Sequence, residues 1–365
     1  MKWIDQDYTL LEQGHEIDDM FQQIETAGRV CYKSVGTRYF FIPIMAWTSD
    51  YCKHFLLEGL IANSTDCFYS GDTYIRLTCD GAYISIRNSI LKRFPKNILH
   101  FECKAKDHPE FFMNVTAHDF VQMLKDSGHL AMLEHGTVFL KVPCLRLDIF
   151  LRYCFNKYTR VKFYKGEYLI TTNYRVICEK NDENMMTEYW CWTPKHYIRP
   201  SVLFIMDRVG SQSVERHRGK YGISFAQEST RYCNYSKSKF SGLTFIIPRW
   251  MYKIKDFVYD KLTGNELIRE LSKVSTKVDK YCKLCASSEK TYLDLLSPTT
   301  ETSNDALTPQ DARGVLPLQI KTEFIMTAFM VDWKHFFELR DEHSAHPDIQ
   351  YIAHKLHNEP VFKDI

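Results

Sequence analysis

Residues 216–240, RHRGKYGISFAQESTRYCNYSKSKF, concentrate arginines, a histidine, hydroxyls and one carboxylate in a stretch with no clean helical or strand period. Each guanidinium presents a planar fork of donors that matches a phosphate or a carbonyl edge. Arg216, Arg218 and Arg231, with the Ser229 hydroxyl, therefore make a candidate oxyanion nest that a nucleoside monophosphate would fit. The same residues also suit a solvated basic loop paired with surface acids, because no Gly-rich phosphate loop leading into a helix accompanies them. Arg313, in DARGVLP, and Arg340, at the end of FFELR, are open to the same two readings: ligand contact, or an ion pair at a helix end.

Other clusters point less far. His129 and His135 flank Glu134, but their separation does not put both on one helical face, so contact with a ligand or carboxylate is a better reading than a metal site. Cys282-Lys283-Leu284-Cys285 lacks the second pair that a structural zinc site needs and lies on an apolar helical face. There is no Gly-x-Ser-x-Gly elbow and no cysteine in a nucleophile context, which leaves room for chemistry carried by a cofactor.

The elements that must position these groups follow from periodicity. A helix is expected over 16–30, with Ile17, Met20, Phe21 and Ile24 on one face, and another over 116–127 ending at Gly128. Strands are expected between 137 and 176, for instance Tyr168–Thr172. A single long helix is expected over 265–295, and Thr308-Pro309-Gln310-Asp311 starts a further one with a hydroxyl N-cap and Pro in the first turn. A last helix is expected over 322–340. Strands in the middle and long helices late give an α+β class, with a central mixed or antiparallel sheet flanked by long helices.

The chain has 365 residues, 45% hydrophobic content and a formal net charge of +2. That suffices for a sizeable core and gives no global field for a nucleic-acid polymer or a membrane surface. An acidic N-terminus and the lack of a long apolar run lead us to expect a cytoplasmic protein, and twelve cysteines beside apolar neighbours suit reduced core residues.

Five ordered segments, RVCYKS (29–34), GHLAMLEH (128–135), ERHRGKYGISFAQESTRY (215–232), ARGVLPLQIKTEF (312–324) and DWKHFFELR (332–340), resemble the motifs of flavin-dependent thymidylate synthase. The resemblance spans one catalytic domain over 1–365 and leaves out 37–113, which reads as an insertion. It implies a homotetramer with sites composed between subunits. It also implies bound FAD, and reductive methylation of dUMP with methylenetetrahydrofolate as carbon donor and NADPH as reductant. By motif position it assigns Ser213, Arg216, Gln227, Glu228, Ser229, Arg231, Arg313 and Arg340 to dUMP. Cys31, His129, Glu134, Arg216, His217, Arg218 and His335 go to FAD, and no metal is implied. Arg340 matches the arginine that faces the uracil and favours loss of its ring proton, the catalytic role. The chain departs from the family in several places. The stretch between Arg218 and Ser229 is longer, with the excess around Gly219-Lys220-Tyr221-Gly222. Gln227 stands where a Glu is usual, with Glu228 displaced by one, and Phe329-Met330-Val331 replaces an Asn-x-Arg flavin contact. These leave open a relative acting on another pyrimidine monophosphate, or a non-catalytic flavin- or nucleotide-binding relative.

Overall fold

The computed structural model describes residues 1–34, 37–43, 67–70, 74–80, 83–84, 112–113, 116–218, 222–237, 240, 242–254, 262–300 and 302–365. The chain divides into two compact units, one of residues 1–33 with 130–365, the other of 34–129. The first unit opens with strands β1 (Lys2–Ile4) and β2 (Asp7–Leu11) and helix α1 (Ile17–Tyr32). The second, which interrupts it in sequence, holds β3 (Thr37–Pro43), β4 (Cys67–Ser70), β5 (Tyr74–Asp80), β6 (Tyr83–Ile84), β7 (Phe112–Met113) and α2 (Thr116–Asp126). Its strands pair antiparallel in the order β4-β5-β3-β7, with β6 on β5. Gly128 takes the left-handed φ of +71° expected of the cap after α2.

The first unit resumes with a 3₁₀ turn at Leu130–His135, then β8 (Thr137–Pro143), α3 (Leu147–Tyr153), β9 (Arg160–Tyr164), β10 (Glu167–Asn173), α4 (Tyr174–Glu179) and α5 (Glu183–Tyr189). There follow β11 (Ser201–Asp207), α6 (Arg208–Glu215), a 3₁₀ turn at Arg216–Arg218, β12 (Ser224–Gln227) and β13 (Thr244–Ile246). The C-terminal part contains α7 (Gly264–Val274), α8 (Thr276–Leu295), α9 (Pro309–Ala312), β14 (Lys321–Thr327), α10 (Met330–Arg340) and α11 (Pro347–His357). An antiparallel sheet of order β12-β14-β11-β2 forms its centre, and β8-β10-β9 make a second antiparallel sheet. The class is α+β, as the element pattern implies.

Two expected helices are corrected. The run 322–340 is not one helix, since Lys321–Thr327 is a strand paired on both sides, to β11 and β12. Its residues Phe324–Thr327 are all buried, so the run is apolar on both faces and periodicity alone cannot separate strand from helix. The run 265–295 breaks at Ser275, whose extended backbone (φ −133°, ψ 110°) divides α7 from α8. Leu267, Leu271, Val278 and Cys285 are buried on either side of the break, whereas Val274, next to it, is exposed.

The central sheet is covered on both faces. On one, Val202, Phe204 and Met206 of β11 and Phe324 and Met326 of β14 meet Trp333, Phe336 and Phe337 of α10 and Ile352 and Leu356 of α11. Phe204 and Phe324 stack at 4.9 Å between centroids, and the Trp333 indole donates to the Pro200 carbonyl at 3.2 Å. On the other, Ile325 and Ala226 contact Ala27 of α1. Each large side chain removed from water contributes roughly 1.5–3 kcal/mol, which fixes α1, α6 and α10 about one sheet. Those three elements carry Cys31, Ser213, His335 and Arg340.

Candidate functional site

Asp207 caps α6, accepting the Gly210 N–H at 2.6 Å, and the helix ends at Arg216. There it meets the C-terminal half of α10. Arg340 Nε donates to His217 Nε2 at 2.8 Å, and Arg340 Nη2 donates to the Ser213 carbonyl at 2.7 Å. The His335 ring lies edge-on to His217 at 5.7 Å between centroids. Arg216 is exposed beside them, and burial together with its charge lowers the pKa of Arg340. Thus Ser213, Arg216, His217, His335 and Arg340, assigned from motifs more than a hundred residues apart, are brought to one place. The Ser213 hydroxyl turns back to the Val209 carbonyl at 2.9 Å, leaving its main chain as the contributing group.

His217 is 7% exposed, and burial first, then Arg340 and His335, pushes its pKa down from 6.5 to about 4. A neutral imidazole is required, because only an unprotonated Nε2 can accept the Arg340 donor. The folded pKa lies below the unfolded value. The contribution of this contact to stability is therefore fully present above about pH 6.5 and is lost as pH falls through about 4. We expect the thermal midpoint of the wild type to drop across that window and the drop to be shallower in His217→Phe. Equal slopes in the two proteins would contradict the assignment.

A second group forms where β12 ends. Gln227 Nε2 donates to Ser211 Oγ at 2.5 Å, and Ser229 N donates to the Cys31 carbonyl at 2.9 Å, bringing the end of α1 to this loop. Burial raises the Cys31 thiol pKa, the opposite of what a thiolate needs. Arg231 is exposed and its Nε donates to Gln310 Oε1 at 2.9 Å, three residues before the exposed Arg313. Among the described residues no contact joins Arg231 or Arg313 to Arg216 or Arg340. The Glu228 side chain is turned inward and fully buried, with Oε1 accepting from the Tyr235 hydroxyl at 2.7 Å.

Glu134 is also buried, accepting from Arg175 Nη1 at 2.7 Å, while its carbonyl accepts from Arg199 Nη2 at 3.1 Å. His129 belongs to the other unit and is exposed. The Arg218 side chain and residues 219–221, where the loop is longer than in the resembled family, lie outside the described residues.

Sequence reasoning missed Arg199. It is 1% exposed, bonded to Thr137 Oγ1 at 3.4 Å as well as to Glu134, and its guanidinium sits 5.3 Å from the Phe329 ring centroid. Burial lowers its pKa to about 10, so it is charged at neutral pH. Arg160 approaches the same ring at 4.8 Å and Asp332 Oδ1 at 3.7 Å. Phe329, 1% exposed, is thus an internal residue enclosed by cations at the start of α10. The only signal in the sequence is Arg199-Pro200 preceding an apolar strand, which is too common to single out.

The geometry can be set beside known proteins. A flavin-dependent thymidylate synthase from Pyrococcus furiosus is 27% identical over 157 residues, 43% of this chain and 52% of that one, so the chain spans about half the length of the curated relative it matches. A crystal structure of a UMP/dUMP methylase, PolB, from Streptomyces cacaoi with bound 5-Br dUMP is similar over 43% of this chain and 63% of its own, at 20% identity and a TM-score of 0.31. The sequence model of the family described as thymidylate synthase complementing protein matches residues 163–361. That stretch includes β11, α6, β12, β14 and α10, every element of the Arg340 cluster. With more than half of its length matched, the chain belongs to the thymidylate synthase complementing protein family, the flavin-dependent thymidylate synthases.

Proposed function

We propose that the protein converts dUMP to dTMP by reductive methylation. Methylenetetrahydrofolate would supply the carbon, bound FAD the hydride, and NADPH the electrons that reload the flavin. One observation carries the reading: the two-point clamp on Arg340. With Nε held by His217 and Nη2 by the Ser213 carbonyl, Nη1 makes no hydrogen bond among the described residues. A fixed cation with a free donor edge stabilises negative charge that develops on a uracil ring, and it does so without reorganising.

The donor set suits a flavin beside a nucleotide. Arg216 is an exposed guanidinium for phosphate oxygens, and the His217 and His335 rings supply flat, polarisable edges next to it. When bound, the flavin supplies hydride; the chain's own residues bind, orient and stabilise charge. Phe329 is internal and cannot supply the polar contact usual at its position, so the grip on the flavin rests on the Arg216 end. The exposure of Arg216, Arg231 and Arg313 in one chain is what sites composed between subunits of a homotetramer require. The family likeness supports that assembly, and residues 37–113 stand in this reading as an insertion.

A second reading keeps the reaction and changes the nucleotide. Gln227 offers an amide already committed to Ser211 where a carboxylate is usual, which favours a relative with altered pyrimidine monophosphate preference. Purified protein is tested with dUMP, dCMP or no nucleotide while flavin reoxidation with methylenetetrahydrofolate is followed. We expect dTMP from dUMP; turnover with dCMP alone selects the second reading. A yellow protein with no turnover on either would overturn both readings and leave a binding protein.

A further inference from the structure

Glu228 opens the loop that carries Ser229 and Arg231, and four chain segments converge on it. Its main-chain N–H donates to the Glu323 carbonyl at 2.8 Å and its carbonyl accepts from Arg208 Nη2 at 2.9 Å, while the next N–H, of Ser229, is held by Cys31. Its carboxylate lies 3.0 Å from Lys321 Nζ and 3.8 Å from Lys33 Nζ, besides accepting from Tyr235. Lys321 also pairs with Glu323 at 2.6 Å, and Lys33 pairs with the other Glu323 oxygen. The result is a closed alternation of two lysines and two carboxylates drawn from α1, the β12 loop and β14. Burial alone would lower the pKa of Lys321, but Glu228 and Glu323 overcome it and hold it above the ordinary lysine value.

The network is not itself a ligand site. Its four charges sum to zero, so it offers no net field to a phosphate. The cavity beside it, lined in part by Glu228, Tyr235 and Lys321, is small, at ≈30 Å³. What it fixes is backbone. Lys33 ends α1 in the left-handed region, at φ +47°, a conformation uncommon for an L residue, and its ammonium is held by Glu323 and Glu228.

We infer that Glu228 is a positioning residue rather than a nucleotide contact. Together with Lys321 and Lys33 it locks the end of α1 against β14 and so sets where Ser229 and Arg231 present themselves to the nucleotide phosphate. This rests on the dUMP reading above. A buried ion pair adds little net stability but fixes geometry, and removing one partner leaves the other charge uncompensated. The network therefore acts on nucleotide affinity more than on rate.

The test uses the flavin-loaded full-length protein, with dUMP affinity read from the flavin absorbance change and kcat measured at saturating dUMP. Glu228→Gln and Lys321→Met should each weaken dUMP binding and raise KM about tenfold, with kcat within about threefold of wild type. Lys321→Arg should restore most of the affinity, and on an Arg231→Ala background Glu228→Gln should have little further effect. Should the buried substitutions prevent folding, Tyr235→Phe removes a single hydrogen bond from Glu228 and should raise KM in the same sense. Unchanged affinity in the variants, or loss confined to kcat, overturns the inference while leaving the dUMP reading standing. A wild type that does not bind dUMP overturns both.

Discussion

On the proposed reaction, replacing Arg340 by glutamine should lower dTMP formation by about a hundredfold or more while the flavin content of the purified protein stays at the wild-type level. The expectation follows from how the guanidinium is held. Its Nε and Nη2 are spent on His217 and the Ser213 carbonyl, so rotation about the last side-chain bonds is suppressed and the remaining edge is aimed without a cost at the moment of reaction. Burial and the neighbouring Arg216 lower its pKa, the direction of a group poised to welcome an anion. Glutamine keeps some bulk and a donor but no charge. Arg340→Lys keeps charge but cannot bridge both acceptors, and should lie between wild type and glutamine. Single-turnover rates and flavin content separate the effects; parallel loss of both would show that Arg340 holds the cofactor instead of acting on the base.

The second large effect is on stability. Arg199→Ala should destabilise the protein by about 3–5 kcal/mol, read as a shift of the urea midpoint at unchanged slope. Arg199 is enclosed between the Glu134 carbonyl, Thr137 and the Phe329 ring, and it opposes the charge of the buried Asp332, whose own pKa is raised by burial and pulled back by Arg160 and Arg199. Its removal opens a cavity and takes away compensating charge at once. The consequence reaches the site, because Phe329 and Asp332 start α10 and Arg340 ends it, 11 helical residues in all. A loosened first turn should broaden the placement of Arg340. A loss below about 1 kcal/mol would mean that the guanidinium is replaced by solvent at little cost.

Legibility differed sharply between elements. The α1 helix was readable because a solvated face alternates with Met20, Ile24 and Ala27, and period and burial agree. The strand β14 was not, because both of its faces are covered and its partners, β11 and β12, lie about a hundred residues earlier. The α7–α8 break was hidden because the buried Leu267, Leu271, Val278 and Cys285 keep helical spacing across it, and a single extended residue, Ser275, interrupts the helix without any Gly or Pro to announce it. Within the site, Arg340 and His217 were both legible as motif residues, yet nothing local says that one donates to the other. Glu228 was assigned to the nucleotide by its motif position; three-dimensional neighbours 95 residues later at Glu323 and 93 later at Lys321 turn it inward.

The sequence by itself determined the chemical inventory: arginines with no nucleophile beside them, an apolar content large enough for a core, and an ordered set of motifs shared with one family. Tertiary structure alone decided which of those side chains stay exposed and which face each other. Ionic and hydrogen-bonding groups are chemically identical in either role, and only burial and the arrival of a distant partner select between them.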